Sequence, residues 1–325
     1  MGALLSSCNG FGGLYIFLKS KMASKPNMLK VKSDESLLNG GMINRKRTWT
    51  ISSAWKKAVK SNPDKSAVFI DEYSLTYRQM DELMEKIALN LQLLIFQRNT
   101  PEERLEFFFG RSFEDDKLTI AIWMDPSEKR IAVQLAVWKL GRAYVPLDDV
   151  LPQSRIKTIL KTAKPVCIIT DSEERERRLL ECSEDVFVVH SSNLEVSSEK
   201  GLINDYEILT DGDDAAAILF TSGSTGIPKG VILTHGNIEN RLQWQWDNLP
   251  FENDDIVCHK TSLLFVDSLT ELLSGLLSST PIVVLRSETV KNVEKLAHSI
   301  ERYNITKITV VPTLLQNILE VFRCD

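Results

Sequence analysis

The chain has 325 residues, 43% hydrophobic and 26% charged, values of an ordinary globular protein with a substantial core, which excludes disordered and collagen-like classes. Its net charge of −5 comes from mixed signs throughout, so there is no basic footprint for a nucleic-acid backbone. The five cysteines, Cys8, Cys167, Cys182, Cys258 and Cys324, lack the paired spacings of a structural zinc site and read as reduced thiols. Cys167, inside the apolar run PVCIIT, reads as a small buried hydrophobe. His190, His235, His259 and His298 are equally dispersed, and no metalloprotease helix or hydrolytic triad assembles from local spacing.

The amino terminus, MGALLSSCNGFGGLYIFLKSK, has no basic residue before its apolar stretch and is broken by Ser, Asn and Gly. It makes a poor secretion signal and no membrane span. Gly2 with Ser6 fits the loose myristoylation pattern, with Cys8 nearby for palmitoylation, although an unmodified leader is the plainer reading. These features point to the cytoplasm, away from membranes. Residues 1–47 show no sustained hydrophobic period and read as a disordered tail, with the fold starting at Thr48.

SSAWKKAVKSNPD has helical spacing and stops at Pro63; Ser66–Ile70 and Ser74–Tyr77 then read as a hairpin around Asp71–Tyr73. Arg78–Leu94 sets Met80, Leu83, Ile87 and Leu91 at helical intervals. The charged stretch Arg98–Lys117 reads as a solvated loop or insertion. Beyond it strands alternate with helices: LTIAIWM, a helix from Ser127, AYVPLD, SRIKTILKTA, VCIIT, SEERERRLLEC and VFVVH. That alternation predicts α/β units around a largely parallel sheet. A polar linker spans about Ser191–Asp214; then come AAAILF, VILTH, a helix from Asn237, a helix after Ser268, PIVVL, another helix, KITVVPT and a final helical segment.

Between AAAILF and VILTH lies TSGSTGIPKG, Thr221–Gly230, with three glycines, four hydroxyl residues and one lysine. Backbone N–H groups, hydroxyls and a positive charge so close together suit a polyphosphate, and the same residues also make an ordinary flexible turn. A Walker loop requires the lysine directly after the last glycine and then a helix, but here Lys229 follows Pro228 and a strand comes next. A dinucleotide fingerprint fails too, because Gly223, Gly226 and Gly230 have the wrong intervals. What remains is a strand, a hydroxyl-rich loop, a lysine and a strand.

That segment resembles the phosphate-binding signature of the adenylate-forming superfamily, which includes acyl-CoA synthetases, luciferases and peptide-synthetase adenylation domains. LTYRQMDE (Leu75–Glu82), KLGRAYVPLD (Lys139–Asp148) and LLFVDS (Leu263–Ser268) fall in the family's order, and the resemblance runs from Thr48 to Val321. It implies an α/β fold, the N-terminal core of an adenylate-forming enzyme with mixed, largely parallel sheets and packed helices. Residues 48–325 would form part of that N-terminal subdomain. NRLQWQW, KTSLLFVDSLTELL and VVPTLL look most like Ebony-type β-alanyl amine synthetases. Such enzymes use ATP and Mg2+ to activate β-alanine, load it onto the phosphopantetheine of a carrier domain, and pass it to a biogenic amine. By resemblance, Thr221, Ser222, Gly223, Ser224, Thr225 and Gly226 wrap the phosphates, and Lys229 supplies catalytic charge. No metal ligand is assigned; the Mg2+ ligands, the carrier domain and the C-terminal catalytic parts are expected outside this sequence. Trp244 and Trp246 read as core packing.

Asp267 lies in the apolar setting LLFVDSLTELL, where an ionised carboxylate is costly unless compensated. Ser268 and Glu271 match the capping box S-x-x-E, which gives the helix cap to Ser268 and frees Asp267. Peptide-synthetase domains place an amine-binding aspartate directly after the phenylalanine of this block. Here Val266 intervenes, a displacement that suits an ammonium on the β carbon. Two other readings stay open: an adenylation domain for a different amino or carboxylic acid, and a catalytically silent fragment that only binds.

Overall fold

The computed structural model describes residues 2–7, 14–19, 49–98, 119–182, 186–195, 210–222 and 228–324. The charged insertion after Arg98 and the middle of the polar linker lie outside them. In chain order the elements are β1 (Gly2–Ser7), β2 (Leu14–Lys19), α1 (Ile51–Ser61), β3 (Ser66–Ile70), β4 (Tyr73–Thr76), α2 (Tyr77–Arg98), β5 (Thr119–Trp123) and α3 (Glu128–Lys139). Next come β6 (Ala143–Pro146), α4 (Gln153–Ala163), β7 (Cys167–Thr170), α5 (Glu173–Leu180), β8 (Val188–His190), a 3-10 turn (Ser191–Leu194), β9 (Ala215–Thr221) and β10 (Lys229–Thr234). The rest are α6 (His235–Asn248), β11 (Val257–His259), α7 (Val266–Leu277), β12 (Ile282–Val284), α8 (Ser287–Val290), α9 (Val293–Arg302), β13 (Lys307–Val310) and α10 (Pro312–Cys324).

Two mixed sheets result. One has the order β1-β2-β13-β11-β12-β3-β4, parallel from β13 to β3 and antiparallel at both margins. The other runs β10-β9-β6-β5-β7-β8, parallel except for the β9–β10 hairpin. The expected mixed, largely parallel architecture is what forms. Within the stretch read as a tail, β2 pairs antiparallel with β13. That pairing joins the two ends of the chain, so no local period announces it.

Side-chain alternation in the strands assigns the layers. In β5, Ile120 and Ile122 join one core, while Ala121 and Trp123 join another. In β12, Ile282 and Val284 face that first core and Val283 faces a third. The first core therefore lies between the sheets and holds α1, α2, α3 and α7; α4 and α5 cover one outer face, α9 and α10 the other. Every residue from Arg130 to Trp138 and from Ser268 to Leu276 is buried, as expected of helices with a sheet on each side. Among the described residues no helix is long and apolar enough to cross a membrane. Cys167 and Cys258 are fully buried free thiols, and burial pushes Cys167 up to about 12, the behaviour of a packed hydrophobe.

Tight packing of α7 fixes a glycine. A Cβ at Gly275 would stand 2.8 Å from Ile282 Cγ2, 3.1 Å from the Thr280 carbonyl oxygen and 3.2 Å from Val257 Cγ2. Overpacking of this kind costs about 1–3 kcal/mol. Gly275→Ala is accordingly expected to lower the denaturation midpoint despite alanine's better helix propensity; a variant as stable as the parent in urea would contradict the packing described.

Candidate active site

β9 and β10 form the hairpin that carries the hydroxyl-rich connection. Their ladder closes at the pair Thr221 and Lys229, so the loop springs from a fixed two-strand base. Thr221, Ser222 and Lys229 are exposed. Lys229 makes no ion pair among the described residues, which leaves a hydroxyl, a second hydroxyl and a free ammonium at one mouth. That donor set fits a polyanion such as a nucleotide triphosphate. Gly223, Ser224, Thr225 and Gly226 lie outside the described residues. Gly230 has a packing reason of its own, because a Cβ there would stand 3.0 Å from Ile218 Cγ2 and 3.2 Å from Phe220 Cζ.

Below the hairpin the chain turns into α6 earlier than the sequence suggests. Thr234 caps the helix, with Thr234 Oγ1 accepting the Asn237 N–H at 3.1 Å and Asn237 Oδ1 accepting the Thr234 N–H at 3.1 Å. His235 follows, fully buried, and its Nδ1 accepts the Ile51 N–H at the start of α1 at 3.2 Å. That bond puts the proton on Nε2. Burial holds the imidazole down at about 4, against a weaker opposing pull from Asp211.

The second part of the site forms where β11 ends. Ser262 Oγ donates to Asp148 Oδ2 at 2.6 Å, tying the exit of β11 to the exit of β6 in the other sheet. β6 runs parallel to β9, so Thr221 and Asp148 lie at the same end of their sheet. Arg175 braces that end, donating to Asp125 at 2.6 Å, Asp149 at 2.5 Å and Asp171 at 2.6 Å, one carboxylate beyond each of β5, β6 and β7. Both groups of candidate residues thus stand at carboxyl ends of strands, where open α/β sheets place their ligands.

Asp267 occupies the first turn of α7, where the helix dipole favours an anion. It is half-buried and makes no hydrogen bond or ion pair among the described residues. Burial pushes its carboxyl above the usual range, and the charge of Glu271 adds to this, against Arg241 and Lys260. The capping box is not formed: α7 begins at Val266, Phe265 precedes it without a side-chain cap, and the buried Ser268 hydroxyl has no hydrogen-bond partner. Glu271 turns away from the helix end and accepts the N–H groups of Lys260 at 3.0 Å and Thr261 at 2.9 Å, together with the Thr261 hydroxyl at 2.7 Å. Sequence reasoning missed that role, though the spacing of Asp267 and Glu271 on an otherwise apolar helix was its signal. No hydrogen bond or ion pair joins Asp267 to Lys229.

The tryptophans divide. Trp246 packs against the core and donates Nε1–H to the Ser274 carbonyl at 3.1 Å. Trp244 is 38% exposed beneath the Arg241 guanidinium, 5.0 Å from its ring centre, so core packing does not account for it. Among the described residues no cluster of His, Cys, Asp and Glu is suited to a metal.

The family model described as AMP-binding enzyme matches residues 111–324. The Drosophila melanogaster beta-alanyl-bioamine nonribosomal peptide synthetase ebony is 36% identical over 257 residues, 77% of this chain and 27% of that protein. A dimodular nonribosomal peptide synthase of Bacillus subtilis is 29% identical, over 82% of this chain and 10% of its own length. The chain therefore spans about a quarter or less of these relatives. Among solved structures, the Klebsiella oxytoca NpsA N-terminal subdomain with 3-hydroxybenzoyl-AMSN superposes with a TM-score of 0.64 at 24% identity, covering 79% of this chain and 58% of that one. The Bacillus subtilis o-succinylbenzoate coenzyme A synthetase with ATP and magnesium ion superposes at 0.63 with 20% identity, covering 78% and 62%. Both likenesses bear on the fold.

His235 generates a pH dependence. Its folded value lies below the ordinary 6.5, so the unfolded chain binds the proton first, and stability is full above about 6.5 and falls as pH drops toward 4. The loss is about 2 kcal/mol at pH 5. In urea titrations at pH 7.5 and 5, His235→Asn, whose amide oxygen can still accept the Ile51 N–H, should lose less stability than the parent; equal losses would remove His235 from the account.

Proposed function

Since the chain belongs to the AMP-binding enzyme family, we propose that it is the nucleotide- and acid-binding part of an ATP-dependent ligase that activates an amine-bearing carboxylic acid, β-alanine, as its adenylate. The substrate carboxylate attacks the α-phosphorus of ATP, the bond to the bridging oxygen breaks, and pyrophosphate leaves with that electron pair. A mixed anhydride with AMP remains. Two anions meet in this step, so the protein's task is positioning and charge compensation. Thr221 and Ser222 donate hydroxyls to the phosphates and Lys229 adds its ammonium, with Gly223, Ser224, Thr225 and Gly226 completing the cradle. Magnesium finds no ligand set among the described residues.

The acid is held at the other station. A half-buried carboxylate with no partner, raised by burial and by a neighbouring anion, gains most from a cation, and Asp267 is that group. Its place at the start of α7, one residue further from Phe265 than an α-amino group would use, supports an ammonium on the β carbon. The activated acid would then pass to a phosphopantetheine-bearing carrier domain and on to a biogenic amine; the resemblance to the Drosophila synthetase supports this. A protein that binds nucleotide without turnover is separated from an enzyme by pyrophosphate exchange with this polypeptide.

Lys229→Ala is expected to weaken binding of a non-hydrolysable ATP analogue about tenfold or more in calorimetry, the worth of a charge-assisted contact; an unchanged Kd would contradict the phosphate assignment. In exchange or binding assays β-alanine should be preferred over L-alanine by about tenfold or more, and Asp267→Asn should erase the preference. A preference for L-alanine would end the β-alanine reading.

A further inference from the structure

Glu271 is 2% exposed, a buried carboxylate on the second turn of α7. Its two oxygens take three donors from the segment leaving β11, the Lys260 and Thr261 amides and the Thr261 hydroxyl. Lys260 Nζ stands 3.8 Å from Oε1, and His259 Nδ1 3.7 Å from Oε2, beyond hydrogen-bond range. Burial works against the carboxylate, but His259, Lys260 and Thr261 hold Glu271 below the ordinary carboxylate range. It is therefore ionised at neutral pH.

A neutral side chain of the same shape would meet the same geometry. Glutamine accepts both amides on its oxygen and offers its own amide to the Thr261 hydroxyl, which can turn from donor to acceptor. A buried charge costs more than a buried amide; here the Lys260 ammonium, 3.8 Å away, offsets part of that cost, and the charge also reaches the first turn of α7. The charge is felt by His259, whose unpartnered Nδ1 stands 3.7 Å away, and by the carboxylate of Asp267, one helical turn earlier.

We propose that Glu271 positions the acid-binding wall twice over: it clamps Lys260 and Thr261 to α7, and its charge, one turn from Asp267, biases that wall toward a substrate bearing an ammonium group. This rests on the reading of Asp267 as the amine contact. The charged groups facing Asp267 are Glu271 on its own helix, Arg241 on α6 and Lys260 beyond β11. Those facing Glu271 are His259, Lys260, Asp267 and the buried Cys258 thiol. Arg241 and Lys260 offset part of the negative field, and the second carboxylate keeps the wall anionic.

The test uses the full chain without substrate. Asp267 is titrated by carboxyl carbon NMR, with Asp267→Asn to assign the signal, and amide exchange is followed at Lys260 and Thr261. Glu271→Gln should move the Asp267 midpoint to lower pH while leaving both amides protected within a few-fold. Glu271→Ala should speed their exchange by about tenfold or more, the loss of charge-assisted bonds. Thr261→Val, which keeps the charge, should leave the Asp267 midpoint in place. An Asp267 midpoint unmoved in Glu271→Gln overturns the electrostatic role, and should the alanine variant not fold, the glutamine and valine variants decide alone. Because no substrate is present, these outcomes are independent of whether β-alanine contacts Asp267, which the Asp267→Asn selectivity measurement decides by itself.

Discussion

Helices pressed between two sheets have no solvent face, so the polar groups they carry must find partners inside the protein or go without, as the Ser268 and Ser274 hydroxyls do. α3 and α7 live under that constraint along almost their whole length. Long aromatic side chains meet part of it by reaching backbone carbonyls: Trp138 Nε1–H to Ala216, Tyr77 O–H to Leu276 and Trp246 Nε1–H to Ser274. Gly275 meets another part by letting α7 lie against β11 and β12. The start of α7 opens where the strands end.

The two stations of the site differ in charge and in exposure for physical reasons. The hairpin mouth is open and cationic, suited to a ligand that brings several negative charges and its own water. The start of α7 is half-closed and anionic, suited to a small group that sheds water as it docks. The Ser262–Asp148 bond holds the two sheets together at the end where both stations lie. In the proposed reading the first takes the triphosphate and the second the amine of the acid.

Much of this was legible because it is written locally. Helix starts such as Ser127 and stops such as Pro63 depend on caps and breakers within a few residues, and the hairpin carrying Thr221 and Lys229 follows from two strand-like runs with one loop between them. Several of the failures are non-local. Ser268 and Glu271 have the spacing of a capping box, but the buried carboxylate gains more from the two amides at the end of β11 than from its own helix terminus. The helix after VILTH starts at His235 instead of Asn237, on a local capping box of Thr234 and Asn237 that the sequence reading passed over. β2 owes its pairing to β13, at the far end of the sequence.

The bond from Ile51 to His235 spans 184 positions, and that from Tyr77 to Leu276 spans 199. At about 5–20 residues per second, roughly 10–40 s of translation separate the two halves of such a contact. While the ribosome works, α1 and the β3–β4 hairpin must wait for α7 and β12, whereas α2 can pack early against α3. Chaperone occupancy on the nascent chain should thus be heaviest in this window and fall once Val284 clears the exit tunnel, a timetable set by topology alone.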